Sequence, residues 1–200
     1  QYITFRSACA VILSLLIATV VGKRIIRILQ KQQVGEEIRD LGLEGQMQKK
    51  GTPTMGGEII LLAILVPVIL FARLDNVYIQ LMIVSTIWLG LIGFLDDYLK
   101  VVLKRSDGLL PWQKFLLQVV LTAIFVFYIV KYTDISLTMR IPFWSGHFLN
   151  LGWLAVPVLF FAVIGTVNGV NFTDGLDGLA SSVTLIVAVF FTVVSIGMKS

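Results

Sequence analysis

Long apolar runs separated by short polar segments dominate the pattern of this chain. Six of these runs are close to the roughly 17–25 residues that an α-helix needs to cross a bilayer. They cover approximately residues 6–24, 57–73, 77–95, 114–131, 152–170 and 180–198. The pattern therefore predicts an all-α polytopic membrane protein with about six transmembrane helices, which together form a single transmembrane domain over residues 1–200.

One of the polar segments has a different periodicity. Between Ile135 and Ile141, apolar and polar residues alternate with period two, which is typical of a β-strand with one exposed face. We expect a short β-hairpin within residues 134–150, on the outer surface of the membrane. His147 lies in this segment, and we interpret it as a surface residue without a chemical role.

The composition agrees with a membrane protein and excludes several kinds of site. Hydrophobic residues make up 57% of the 200 residues and charged residues only 14%, whereas soluble domains carry about 25% charged residues. Cys9 is the single cysteine and His147 the single histidine, so these residues hold no internal disulfide, thiolate metal cluster or multi-histidine metal site. Because the chain begins at Gln1 and stops at Ser200 directly after an apolar run, we expect truncation at both ends.

The lysines and arginines predict the orientation in the membrane, because cytoplasmic loops carry an excess of them. Of the 16 basic residues, 11 follow the first and third runs, and the other 5 lie on the opposite side. The segments after the first, third and fifth runs are therefore predicted to be cytoplasmic, with the N-terminus outside. These three segments carry the polar motifs of the chain.

The segment between the fifth and sixth runs carries a polar residue at every third position: Asn168, Asn171, Asp174 and Asp177. Polar and charged groups beside hydrocarbon are unfavourable unless a polar partner meets them. An α-helix would rotate this stripe by about 60° at each step, whereas a 3₁₀ turn would align it. We therefore expect a tight, partly unwound turn that faces a cation or an anionic ligand. Helix capping by Asp174 or Asp177 is the alternative.

Two adjacent carboxylates, Asp96 and Asp97, end the third run and are followed by Lys100, Lys104 and Lys114. Neighbouring side chains on a helix point about 100° apart, so one carboxylate is expected to face the site while the other supports it. The functional interpretation is a carboxylate for Mg²⁺ or proton transfer beside lysines that bind phosphates. The alternative is a set of interfacial salt bridges, in which Asp96 and Lys100 form an i,i+4 pair.

The sequence Lys49-Lys-Gly-Thr-Pro-Thr-Met-Gly-Gly57 precedes the second run. Lysines, hydroxyl groups and a glycine-rich turn at the start of a helix suit the binding of an oxyanion. The lysines come before the glycines, so this is not a Walker A motif. Helix capping by Thr52 or Thr54, with lysines that anchor lipid headgroups, explains the residues equally well.

With these residues together, the chain resembles the phospho-N-acetylmuramoyl-pentapeptide transferases of bacterial cell-wall synthesis, in the polyprenyl-phosphate sugar-1-phosphate transferase superfamily. The resemblance rests on three motifs in family order: Gly51-Thr-Pro-Thr-Met-Gly-Gly57, Gly93-Phe-Leu-Asp-Asp-Tyr98 and Asn171-Phe-Thr-Asp-Gly-Leu-Asp-Gly-Leu-Ala180. It covers essentially the whole chain, and it implies the N-terminal portion of a fold with about ten spans. Members of the family also carry a further metal-associated aspartate and a histidine-rich loop, which are not among these residues.

The resemblance implies a Mg²⁺-dependent phosphoglycosyl transferase of the bacterial inner (cytoplasmic) membrane, with its active site on the cytoplasmic face. Such an enzyme transfers phospho-MurNAc-pentapeptide from UDP-MurNAc-pentapeptide to undecaprenyl phosphate, giving lipid I and UMP, the first membrane step of peptidoglycan synthesis. A single displacement and a two-step route through a covalent aspartyl phosphate both stay open. The expected partners are these two substrates, without nucleic acid, and a homodimer is the assembly that we consider.

The resemblance also implies roles for individual residues. Asp96 would deprotonate or orient the lipid phosphate, and Asp97 would support it or approach the metal. The expected catalytic residues are Asp96, Asp97 and Asp174. The expected metal ligands are Asp97, Asp174 and Asp177, with a further ligand beyond Ser200. The expected substrate-binding residues are Lys49, Thr54, Lys100, Lys104, Lys114, Asn168, Asn171, Gly175, Leu176 and Asp177.

Three alternatives stay open from the sequence. One is a transferase that joins GlcNAc-1-phosphate from UDP-GlcNAc to a polyprenyl phosphate. Another is an ion-coupled transporter, although the middle of each run is free of charged residues and the acids lie at one interface. The third is a membrane fragment without catalytic activity.

Overall fold

The structure of the chain is a computed structural model, and it describes residues 2–32, 55–103, 108–133, 135–141, 144, 146–175 and 178–197. Within these ranges, helices account for most of the chain, and the strands form one two-stranded sheet. Six residues to which the sequence assigned a role lie outside the described residues: Lys49, Thr52, Thr54, Lys104, Leu176 and Asp177.

Seven α-helices follow one another along the described residues. They are α1 (Ile3–Leu16), α2 (Gly22–Gln32), α3 (Gly57–Phe71), α4 (Val77–Val101), α5 (Pro111–Tyr132), α6 (Ala155–Thr173) and α7 (Leu179–Gly197). A π-helical turn at Ile17–Val21 joins α1 to α2, so that Ile3–Lys31 forms one membrane-length helix. In this part of the chain, 5 helices are long and apolar enough to span a membrane, and the predicted fold class is confirmed.

The second predicted span is the shortest of the apolar helices. The α3 helix has 15 residues, and its length of about 22 Å is below the ~30 Å of a hydrocarbon core. It ends where Ala72 adopts an extended backbone, before a turn in which Arg73 and Asp75 form an exposed ion pair at 3.5 Å. Asn76 then begins α4, because its side-chain oxygen accepts a hydrogen bond from the Tyr78 N–H at 2.9 Å.

The predicted β-hairpin is also confirmed. The strand β1 (Thr138–Arg140) pairs antiparallel with β2 (Phe148–Asn150), and all of their residues are exposed. The His147 ring lies against the Trp144 ring, with 4.6 Å between the two centroids. The location of this hairpin outside the membrane stays a prediction.

The chain divides into two compact units. Gln1–Leu121 with Lys131–Thr133 forms the first unit, and Thr122–Val130 with Asp134–Ser200 forms the second. The organisation of the chain as a single transmembrane domain therefore stays a prediction. Each unit is held together by contacts between its helices.

In the first unit, α3 lies against both α1 and α4. Gly90 permits the close approach of α3 to α4, because a Cβ at this position would lie 2.7 Å from Leu61 Cδ1. The Trp88 indole N–H donates a hydrogen bond to the Leu117 carbonyl at 3.1 Å, and this bond connects α4 to α5. These contacts hold α3, α4 and α5 against one another.

In the second unit, the 3₁₀ turn Gly152–Leu154 leads into α6, which contacts α7. Apolar side chains are exposed on several faces of both helices, as in Phe161 at 81% and Ile186 at 69%. A helix that is apolar all round needs a nonpolar surrounding, either a protein core or lipid. Exposure on this scale shows that both helices have apolar surface available to lipid or to other helices in the membrane.

Candidate active site

A cluster of charged groups surrounds Asp96 near the end of α4. Asp96 is buried, with 9% of its surface exposed. Its Oδ2 atom accepts a hydrogen bond from Lys100 Nζ at 2.8 Å, and its Oδ1 atom lies 2.8 Å from Lys114 Nζ. The Leu109 N–H also donates to Oδ1, at 2.8 Å. One carboxylate thus joins the end of α4, the turn that follows it and the first turn of α5.

Local sequence explains why these groups meet. Lys100 follows Asp96 by four positions, so both side chains lie on one face of α4. Pro111 suits the first position of α5, where its missing N–H has no helical partner to lose. The Gln113 side chain accepts the Leu110 N–H at 3.1 Å and fixes the start of this helix. Lys114 then lies one turn inside α5, within reach of Asp96.

The two lysines keep part of their surface in solvent. The Lys100 side chain is 40% exposed and the Lys114 side chain 31%, whereas the Asp96 side chain is 12% exposed. Each ammonium group has three donors, so one bond to Asp96 leaves capacity for the oxygens of an anion. The cluster can therefore present two fixed cations to an anionic ligand beside it.

Asp97, the next residue, has different partners. Its partly exposed carboxylate accepts a hydrogen bond from the Met55 backbone N–H. Met55 has φ 68°, in the left-handed region, where a residue with a large side chain is uncommon. This bond joins the glycine-rich segment before α3 to the end of α4, so two of the three motifs meet at the adjacent carboxylates.

The polar stretch of the second unit is helical over its first half. The α6 helix continues through Asn168 and Asn171 to Thr173, so the expectation of an unwound turn is wrong for these residues. Asn168 Nδ2 donates to the Ile164 carbonyl at 2.8 Å, and Thr173 Oγ1 donates to the Gly169 carbonyl at 2.8 Å. Because these polar groups are hydrogen-bonded to their own helix, the helix does not have to unwind.

A tight turn does begin at Asp174. Its N–H donates to the Val170 carbonyl at 3.1 Å, and the Gly175 N–H donates to the Phe172 carbonyl at 3.3 Å. Asp174 therefore ends α6, and α7 begins only at Leu179, so Asp174 is not its cap. Asn171, Asp174 and Gly175 are all exposed at this end of α6.

The donor chemistry of the described carboxylates is compatible with Mg²⁺. Among the described residues, no three His, Cys, Asp or Glu side chains are grouped closely enough to hold a metal by themselves. Mg²⁺ usually takes one or two carboxylates and completes its shell with substrate phosphates and waters. Asp97 in the first unit and Asp174 in the second each offer a carboxylate with an exposed surface.

Sequence reasoning missed the backbone groups of the site. Met55 and Leu109 contribute N–H donors, and Gly108, at φ 58°, places the Leu109 N–H on Asp96. The dipeptide Asp107-Gly108 is a common turn sequence, and it was the available signal for the left-handed backbone of Gly108. No local signal indicated that this turn would contact Asp96.

These observations define a class of protein: a multi-pass membrane protein in which two of the polar motifs meet at helix ends around paired aspartates and lysines. Comparison with known families is more specific. The model of glycosyl transferase family 4 matches residues 78–200, and signature 1 of the phospho-N-acetylmuramoyl-pentapeptide-transferases matches residues 49–61. The chain belongs to glycosyl transferase family 4, and its resemblance to the phospho-N-acetylmuramoyl-pentapeptide transferases is confirmed.

Individual relatives agree with the family model. The chain is 42% identical to a phospho-N-acetylmuramoyl-pentapeptide-transferase of Flavobacterium psychrophilum, over 98% of the chain and 59% of the relative. It is 43% identical to that of Flavobacterium johnsoniae over the same shares, and 42% identical to that of Porphyromonas gingivalis over 96% and 56%. The chain thus spans between half and two thirds of the length of these curated relatives.

Proposed function

We propose that the protein transfers phospho-MurNAc-pentapeptide from UDP-MurNAc-pentapeptide to undecaprenyl phosphate, with lipid I and UMP as products. A phosphate oxygen of the lipid attacks the phosphorus that is attached to the sugar. The bond between this phosphorus and the bridging oxygen breaks, and that oxygen leaves on UMP. The relatives named above, which carry this transferase name, support the proposal.

The observation that carries the proposal is the cluster at the end of α4. Phosphoryl transfer depends mainly on positioning and on neutralising the charge of the phosphates. Lys100 and Lys114 are held 2.8 Å from one buried carboxylate and keep exposed surface, so their ammonium positions are fixed before a substrate arrives. Fixed cations do not have to lose side-chain freedom when the diphosphate binds, and this favours binding.

The two adjacent aspartates then have separate roles. Three donors occupy Asp96, and we assign to it the positioning of both lysines, in preference to removing a proton from the lipid phosphate. Asp97 is partly exposed and is oriented by the Met55 N–H, so we assign to it the contact with the reacting groups. Asn171, Asp174 and Gly175, exposed at the end of α6, are assigned to the nucleotide.

Asp97, in the first unit, and Asp174, in the second, are each a candidate ligand for Mg²⁺. When bound, the ion would neutralise charge on the diphosphate of the donor. Met55 holds the Asp97 carboxylate in place through a main-chain bond, so this ligand would need little reorganisation on metal binding.

We further propose that the protein lies in the bacterial inner membrane with this cluster on the cytoplasmic face. The excess of lysine and arginine after the first and third spans supports this orientation. UDP-linked sugars are charged and water-soluble, so a cytoplasmic site would meet its donor directly. The N-terminus would then lie outside.

The test is a release assay for UMP with the protein expressed from its complete gene. We expect Asp97→Asn and Asp174→Asn each to lower the rate by at least about a hundredfold, because each removes a charge that meets substrate or metal. Asp75→Asn is the matched control, since Asp75 is an exposed carboxylate in the α3–α4 turn. Its rate should equal that of the unmodified protein.

Two outcomes decide the assignment. Unchanged UMP release in both Asp97→Asn and Asp174→Asn would contradict the proposed site. Equal or faster transfer from UDP-GlcNAc than from UDP-MurNAc-pentapeptide would contradict the proposed donor. Thermal unfolding of each purified variant in detergent distinguishes a loss of chemistry from a loss of fold.

A further inference from the structure

The turn after α4 comes unusually close to the charged cluster at Gly108. A Cβ at this position would lie 2.4 Å from Asp96 Oδ1, 2.8 Å from Lys100 Cε and 3.1 Å from the Asp96 carbonyl oxygen. Real Cβ atoms essentially never approach another heavy atom within 3.0 Å. A side chain here would therefore displace the Asp96 carboxylate.

Gly108 is also required by its backbone conformation. Its φ of 58° lies in the left-handed region, which is unfavourable for a residue with a Cβ. This conformation directs the N–H of the next residue, Leu109, onto Asp96 Oδ1 at 2.8 Å. The space around residue 108 and its backbone conformation therefore both require glycine at this position.

The Asp96 carboxylate is the shared partner of both lysines. Lys100 reaches it from α4 and Lys114 from α5, each at 2.8 Å. If the carboxylate moves by the 1 Å or so that a Cβ at Gly108 demands, both ion pairs lengthen together. The position of two ammonium groups therefore depends on the absence of one methyl group.

We propose that Gly108 is a positioning residue, which holds the Asp96 carboxylate between Lys100 and Lys114 and thereby fixes both ammonium groups for an anionic substrate. The part that concerns the substrate rests on the proposed transferase function. The part that concerns the lysines does not, and it can be measured without any enzymatic activity.

The test measures the reactivity of single lysines in the complete protein. The protein in detergent is treated briefly with an amine-acetylating ester, and mass spectrometry gives the labelling rates of Lys100 and Lys114 relative to Lys23, an exposed lysine of α2. We expect Gly108→Ala to raise both relative rates about twofold to fivefold, the change expected when a partly exposed ion pair is lost.

Gly146→Ala is the matched control. Gly146 has φ 80°, so alanine meets the same backbone strain there, but no atom lies within 4 Å of its Cβ position. Its labelling rates should equal those of the unmodified protein. Gly108→Asn separates the steric effect of the Cβ from the backbone strain, because asparagine tolerates the left-handed region but still carries a Cβ. It should behave like Gly108→Ala.

The Asp96→Ala background provides the decisive comparison. The Asp96→Ala substitution by itself removes the ion-pair partner of both lysines. It also removes Asp96 Oδ1, which would lie 2.4 Å from a Cβ at Gly108. Adding Gly108→Ala to this background should leave the labelling rates unchanged. Should Gly108→Ala alone fail to fold, Gly108→Asn replaces it in both measurements, because asparagine relieves the backbone strain and keeps the Cβ.

Three results would overturn the proposal. The first is that the relative labelling rates of Lys100 and Lys114 are the same in Gly108→Ala as in Gly146→Ala. The second is that the labelling rates of all lysines increase together, which indicates general unfolding. The third is that Gly108→Ala raises the labelling rates further in the Asp96→Ala background.

A kinetic measurement distinguishes the positioning role of Gly108 from the proposed transferase function. Gly108→Ala should raise the KM for the UDP-linked donor more than it lowers kcat, because it loosens groups that bind phosphate. If lysine labelling changes as expected but the unmodified protein releases no UMP, the positioning role of Gly108 is supported and the transferase proposal is contradicted. An unchanged KM with changed labelling would overturn the link between the lysines and the anionic substrate.

Discussion

At the scale of single residues, the two lysines of the cluster look equivalent by distance but differ in what they connect. Lys100 lies on the same helix as Asp96, whereas Lys114 lies on α5 and so connects two helices. An i,i+4 pair on one helix contributes roughly 0.3–0.5 kcal/mol. A bond between helices also opposes their separation, so it should contribute more to the stability of the fold.

We therefore expect Lys114→Gln to destabilise the protein by about 1–2 kcal/mol, and Lys100→Gln by no more than about 0.5 kcal/mol. For a chain of this size, the difference between the two losses corresponds to roughly 1–8 °C in the thermal midpoint. The measurement is thermal unfolding in detergent, with Lys23→Gln on the surface of α2 as the control. Equal losses for Lys100→Gln and Lys114→Gln would argue against a bond that holds α4 to α5.

The residues that the sequence did not reveal have one property in common. Leu109 bonds to Asp96 across 13 positions, and Met55 bonds to Asp97 from before α3. Both use the backbone N–H, which every residue except proline carries, so the type of residue gives no signal. In contrast, the Asp96–Lys100 pair follows from helical spacing, and it was part of the salt-bridge alternative considered from the sequence.

At the scale of helices, hydropathy predicted the number of helices better than their ends. The polar pattern placed the end of the fifth span at 170, but α6 continues to Thr173. Asn168 and Thr173 bond to carbonyls four positions back, which lets polar residues stay in a helix beside apolar surroundings. The sequence shows which side chains are polar, but it does not show which carbonyl groups accept their hydrogen bonds.

The contact between α3 and α4 depends on Gly90. A Cβ there would lie 2.7 and 2.9 Å from the two Cδ atoms of Leu61, so we expect Gly90→Ala to destabilise the protein by about 1–3 kcal/mol. Gly93→Ala is the matched control, because Gly93 lies on the same helix and no atom comes within 4 Å of its Cβ position. Thermal unfolding in detergent is the measurement.

A second substitution tests the cause of this loss. Leu61→Ala removes the atoms that the new methyl group would contact. Gly90→Ala should therefore destabilise the protein less in the Leu61→Ala background than in the unmodified protein. If the loss in both backgrounds is the same, the close approach of these helices is not the reason for it.

At the scale of the whole molecule, the proposed orientation assigns a side of the membrane to each helix end. Asp75, in the turn between α3 and α4, should face outward, whereas Val102, just after α4, should face the cytoplasm. Both positions are exposed, so a cysteine there can react with a reagent. The single native cysteine, Cys9, can be replaced by serine to provide a background.

In intact cells, we expect a membrane-impermeant maleimide to label Asp75→Cys but not Val102→Cys, and to label both after the cells are opened. The reason is the distribution of basic residues, which sets orientation through the short loops. Labelling of Val102→Cys in intact cells, with Asp75→Cys protected, would reverse the orientation and place the charged cluster outside.

The bond from the Met55 backbone to Asp97 has a consequence for the kinds of change this protein can tolerate. Because the donor is the main chain, substitutions of the Met55 side chain leave it in place, and only proline deletes it outright. The contact with Asp97 is therefore insensitive to the type of residue at position 55, and it depends on the backbone conformation there.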